Sequence, residues 1–139
     1  MMRKSFHLFP LLPKLKPMRF LKSFKYALQG IKHCFVSEKN FRMLLVIAAI
    51  TFFLGIVFRI SASEWLAVLF CFALVLSLEM INTAIEKLSN IVTESIHPVI
   101  KQVKDIAAGA VCLVSILSFI IGCIIFLPKI ALVIKYFIK

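Results

Sequence analysis

The sequence is poor in acids and in glycine, and it has none of the spacings that build a soluble nucleotide loop. Six Asp and Glu stand against 17 Lys and Arg, and there are only four Gly in 139 residues. Neither G-x-x-x-x-G-K-[ST] nor G-x-G-x-x-G occurs, which excludes a P-loop and a protein-kinase glycine loop. Cys34, Cys71, Cys112 and Cys123 show no C-x-x-C spacing, so they read as small hydrophobes rather than a zinc site or disulfide framework. His7, His33 and His97 form no H-E-x-x-H pattern, which argues against a transition-metal centre. No internal repeat is visible. Charged residues make up only 17% while 62% are hydrophobic, and the mean hydropathy is +1.02. An ordinary soluble domain is excluded.

What is present is a small, basic, strongly apolar chain with room for one domain. Its net charge of +11 is uneven: ten of the 17 Lys and Arg fall at or before Arg42, beside a single acid, Glu38. Such a segment next to hydrophobic spans suits the anionic cytoplasmic face of a membrane, and the apolarity excludes nucleic acid as partner. Residues 1–18 read as a basic cytoplasmic lead-in; Pro10 and Pro13 break the apolar run, and no small-residue cleavage site follows. Over residues 19–37, Phe20, Phe24, Leu28, Ile31 and Phe35 recur every three or four positions, with Arg19, Lys22, Lys25, Gln29 and Lys32 opposite. That is an amphipathic helix suited to lying in the interface, or to packing on a soluble partner.

Three candidate spans follow. Met43 to Phe58 is short, and extending it to 41–60 with Arg42 and Arg59 snorkelling reaches the length a bilayer needs. The second, 65–86, opens on Trp65, an interface anchor. The third, 106–127, runs without a charge until Pro128 and Lys129 close it, leaving a 128–139 tail for the surface. The fold class is therefore all-α integral membrane, a surface helix plus three transmembrane helices. The positive charge keeps the N-terminus inside, the SASE turn outside and the 87–105 connection inside. Lys129, Lys135 and Lys139 are then left outside, which weighs mildly against this orientation.

Within the second span, LEMINTAIEKL places Glu79, Asn82 and Glu86 on one helix face, at spacings of three and seven residues. Ionisable residues at membrane depth are costly and point to function. Carboxylate and carboxamide oxygens suit a hard cation such as Mg²⁺. Glu38 precedes the first span, while Lys104 and Asp105 open the third, so polar groups converge where a water-soluble ligand could meet a lipid head group. Taken singly, Glu86 with Lys87 also reads as a solvated helix end, Lys104 with Asp105 as an interface anchor, and Asn82 as helix–helix glue. Ala107, Ala108, Gly109 and Ala110 read as a place for close helix approach. Glu79 has no such ordinary reading.

EMINTAIE and HPVIKQVKDIAAGA, with FKYALQGIKHCFVSEKNFR upstream, resemble the prokaryotic diacylglycerol kinase family, undecaprenol kinases included. The resemblance covers residues 19–127. It implies a homotrimeric lipid kinase of the bacterial inner membrane that transfers the γ-phosphate of MgATP to a lipid alcohol. By position, Glu79 resembles the catalytic base and Asn82 its polar partner. Glu38 and Glu86 resemble the Mg²⁺ carboxylates. Lys104 and Asp105 resemble a phosphate-contacting pair. Arg19, Tyr26, Ser95, Ile96 and His97 fall on nucleotide- or substrate-contacting positions. Asn90 departs from the family pattern, which usually has Asp there. Two other readings remain: a proton-coupled carrier with Glu79 as relay, and a non-enzymatic subunit. Acids crowded at one boundary and the missing repeat speak against a carrier.

Overall fold

The computed structural model describes residues 18–92 and 97–138, with the backbone alone at 18–21 and 137. Four helices follow in order: α1 Met18–Ser37, α2 Lys39–Val57, α3 Ala62–Val92 and α4 Pro98–Phe137. There is no strand among the described residues. α2, α3 and α4 are long and apolar enough to cross a membrane. Large side chains such as Phe53, Leu66, Phe70 and Phe119 are exposed on the chain surface. Apolar helices that leave such groups outside fit hydrocarbon as solvent, since each helix satisfies its own backbone. The protein is an all-α membrane protein with a surface-type helix at its start.

α1 and α2 are separated by one residue. Glu38 leaves the helical region at φ −104°, ψ 118°, and Arg42 seals the break. Its guanidinium donates to the carbonyls of Phe35 at 3.1 Å and Val36 at 2.9 Å. These are last-turn acceptors that have no partner within α1. Arg42 therefore caps the preceding helix, whereas the sequence suggested a snorkelling membrane arginine.

The turn between α2 and α3 is tightly specified. α2 stops at Val57, short of the Ile60 expected from span length. Arg59 takes φ 49°, with its N–H on the carbonyl of Ile56 and the Ile60 N–H on that of Gly55, the hydrogen-bond pattern of a Schellman motif. Ser61 and Glu64 then form a capping box: Ser61 N–H donates to Glu64 Oε2 at 2.7 Å, and Glu64 N–H to Ser61 Oγ at 3.3 Å. Ile60, Val68, Ile125 and Phe126 are the buried apolar cluster at this end, with Trp65 packed against it. A Cβ on Gly55 would lie 2.7 Å from the Trp65 ring, so only glycine admits this crossing.

α3 and α4 form the most extensively packed pair. At 31 and 40 residues they run about 46 and 60 Å, longer than the roughly 30 Å hydrocarbon core. The expected 87–105 connection is mostly helical as a result: α3 continues to Val92, and α4 starts at Pro98. Pro98 suits a first helical position because its missing N–H has no intrahelical acceptor to lose. Pro128 does not close the third span. α4 passes through it to Phe137, since a membrane helix tolerates one lost backbone bond. The next residue, Lys129, bonds Glu64 Oε1 at 2.8 Å and ties α4 to the start of α3. Of the small-residue run, only Ala107 is buried, and nothing lies within 4 Å of a Cβ on Gly109. Cys34 and Cys71 are buried, Cys123 is half-buried, and Cys112 is exposed, all as free thiols.

Candidate active site at the Glu79 end of the helical hairpin

The polar groups of α3 form a stripe at the end opposite the Trp65 cluster. Glu79 is 5% exposed and Thr83, one turn on, is 4% exposed. Asn82 and Glu86 sit beside them, half-buried. Asn82 Nδ2 donates to Glu86 Oε1 at 3.1 Å. Its own Oδ1 is buried and has no hydrogen-bond partner. Native interiors rarely leave such an atom orphaned, and those that persist call for an explanation.

α2 contributes a residue the sequence did not single out. Asn40, in the first turn of α2, places its side-chain amide in hydrogen-bond contact with Glu79, and the carboxylates of Glu86 and Glu38 act on Glu79 electrostatically. Glu38, from the α1–α2 break, and Glu86, from α3, are thus both close enough to act on Glu79. Asn40 and Thr83 went unnoticed because a lone Asn or Thr at a helix start or in a span is common. Only the α2–α3 crossing shows what they touch.

The stripe continues to Asn90, one turn beyond Glu86. Asn90 Oδ1 accepts from Lys104 Nζ at 2.7 Å, which draws α4 into the same face. Beside it, Lys87 Nζ lies 3.5 Å from Glu38 Oε1 and donates to Ser37 Oγ at 3.2 Å. Lys104 is half-buried and Asp105 is exposed in the second turn of α4. Tyr26 is exposed on α1, and His97 is the N-cap residue of α4. Ser95, Ile96 and the Arg19 side chain lie outside the described residues.

The donor set suits a hard divalent cation. The carboxylates of Glu38 and Glu86 and the orphaned carbonyl oxygen of Asn82 are oxygen donors of the kind such a cation takes. Among the described residues, no three His, Cys, Asp or Glu are grouped closely enough to hold a metal unaided. A divalent cation held here would need water or phosphate oxygens to complete its shell.

A cavity of about 390 Å³ opens between α2, α3 and α4. Leu44, Val75 and Phe119 are among its apolar walls, relieved by the hydroxyls of Thr51, Ser115 and Ser118. Val75 is the lining residue nearest in sequence to Glu79, which does not itself line the cavity.

The chain resembles known enzymes over most of its length. It is 40% identical over 111 residues to an undecaprenol kinase of Bacillus subtilis, covering 80% of this chain and 90% of that protein. It is 38% identical over 111 residues to a diacylglycerol kinase of Synechocystis, covering 78% of this chain and 62% of that protein. A diacylglycerol kinase of Helicobacter pylori matches 100 residues at 33% identity, covering 70% of this chain and 77% of that protein. Residues 25–126 match the prokaryotic diacylglycerol kinase family, from the exposed face of α1 through Glu79 to the Phe126 cluster. These matches cover most of the chain, including three helices able to cross a membrane, and the chain belongs to that family of membrane lipid kinases.

Proposed function

We propose that the protein transfers the γ-phosphate of ATP, as its Mg²⁺ complex, to the hydroxyl of a membrane lipid alcohol. Undecaprenol is the favoured acceptor and diacylglycerol the alternative, with undecaprenyl phosphate or phosphatidic acid as product. The observation that carries this reading is the position of Glu79: buried within a helix apolar enough to span a membrane, with Asn40 of α2 against it and the Glu86 and Glu38 carboxylates acting on it. The similarity to the Bacillus subtilis undecaprenol kinase favours the polyprenyl acceptor.

In this reading the apolar body of the acceptor lies along the cavity, and its hydroxyl reaches Glu79. Glu79 takes the hydroxyl proton as the oxygen bonds the γ-phosphorus. The bond to the bridging oxygen breaks, and ADP leaves with the electron pair. Asn82 holds Glu86 in place through its amide. Glu38, Glu86 and the Asn82 carbonyl would hold Mg²⁺, which supplies charge neutralisation on the β- and γ-phosphate oxygens. Lys104 is oriented by the Asn90 carbonyl oxygen and presents its ammonium to phosphate. Arg19, Tyr26, Ser95, Ile96, His97 and Asp105 complete the nucleotide site by resemblance. The reading includes a homotrimer in the bacterial inner membrane, with this end of the hairpin facing the cytoplasm.

The test is Glu79→Gln in detergent-purified protein, assayed with MgATP and each lipid alcohol. Lipid phosphorylation is expected to fall at least about a hundredfold with the helical content unchanged, as for loss of a general base. Turnover within a few-fold of the parent would remove Glu79 from the chemistry.

A further inference from the structure

Glu38 is already paired. Its Oε1 lies 3.5 Å from Lys87 Nζ and accepts from Ser37 Oγ at 2.8 Å. The Lys87 ammonium also donates to Ser37 Oγ at 3.2 Å and contacts His33 Nε2. Three side chains from the last turn of α1 and the α1–α2 break therefore gather on one residue of α3. That residue directly follows Glu86.

The arrangement matters because an ammonium and a divalent cation compete for the same carboxylate oxygen. Glu86 and Glu38 both act electrostatically on Glu79, and like charges so placed repel. Lys87 is the cation that offsets this repulsion where Glu38 meets α3. Its side chain is 40% exposed and that of Glu38 27%, so water screens the pair and it can be broken at small cost. The same ammonium fastens the end of α1 to the helix that carries Glu79.

We infer that Lys87 is a positioning residue acting through Glu38: it is the resident counter-cation that a divalent metal ion must displace, and it holds the end of α1 against α3 until that happens. This rests on the reading that Glu38 ligates the metal. It adds a determinant of metal affinity that lies outside the ligand set. Lys87 lowers affinity by occupying Glu38 Oε1 and by repelling an incoming cation, and in return it keeps Glu38 on the site side of the α1–α2 break.

The experiment measures Mn²⁺ binding by electron paramagnetic resonance on the full chain in lipid nanodiscs, with a non-hydrolysable ATP analogue present. Lys87→Gln is expected to bind Mn²⁺ about two- to fivefold more tightly than the parent, the scale of a screened ion pair. Lys87→Arg, which keeps the charge, should match the parent. Without metal, hydrogen exchange over residues 33–38 should speed up in Lys87→Gln and slow again on adding Mn²⁺. If Lys87→Gln binds Mn²⁺ no more tightly while Glu38→Gln weakens binding, the counter-cation assignment is overturned and the metal site stands. Parent-like binding in Glu38→Gln removes Glu38 from the metal site and overturns this inference with it.

Discussion

Asn82 donates one amide hydrogen to Glu86 at 3.1 Å and leaves its carbonyl oxygen buried without a partner. One half of the side chain is satisfied and the other is not. Fold stability alone would not retain such an atom, because a buried acceptor left unpaired costs roughly 1–3 kcal/mol. Under the proposed function this oxygen is a donor to the metal ion, which would offset that cost.

Replacing Asn82 with Leu should therefore separate stability from activity. The variant is expected to unfold in detergent at a temperature equal to or above the parent's, a gain of up to about 1 kcal/mol. Lipid phosphorylation should fall at least tenfold, because Glu86 loses the bond that orients it. A variant that is both active and less stable would contradict this account.

Asn90 and Lys104 give a second separation. Asn90→Asp still accepts from Lys104, so rates should stay within a few-fold of the parent. Asn90→Leu removes the acceptor, and an unanchored Lys104 should raise the KM for ATP several-fold while kcat changes little. Steady-state kinetics on the two variants check this. Equal kinetics in Asn90→Leu and the parent would show that the 2.7 Å bond orients nothing that phosphate feels.

Gly55→Ala probes the other end of the hairpin. The added methyl would meet the Trp65 ring, which also packs at a tilt on Phe52 with centroids 4.8 Å apart, and so has little room to yield. A net loss of about 1–2 kcal/mol is expected, overpacking outweighing the gain in helix propensity. Thermal unfolding in detergent measures it. The Mg²⁺ requirement should not change, since the site lies at the far end of α3.

Arg59→Gly should act in the opposite sense. Arg59 holds φ 49° at a position where glycine is free of the Cβ clash. Relief of that strain is expected to stabilise the turn by up to about 1 kcal/mol, offset in part by the greater freedom of unfolded glycine. A lower melting temperature would mean that the Arg59 side chain contributes more to this turn than its backbone costs.

Much of the architecture was legible in the residues. Long apolar runs and the amphipathic pattern of α1 follow from periodicity and transfer free energy, which are local properties. Where helices stop was less legible. Pro128 reads as an end, yet α4 passes through it, because tertiary packing and the Lys129–Glu64 bond outweigh one missing N–H. Arg42 reads as a membrane-boundary charge, yet it caps α1, because the break at Glu38 brings unsatisfied carbonyls within its reach.

For the site, the sequence by itself determined that Glu79, Asn82 and Glu86 share one face, since a helix repeats every 3.6 residues whatever surrounds it. Only the tertiary structure decided that Asn40 meets Glu79, that Lys104 anchors on Asn90, and that Lys87 already occupies Glu38. Those partners come from different helices, and contact between helices is set by how side chains such as Gly55 and Trp65 let them approach. One-dimensional spacing carries no record of that distance.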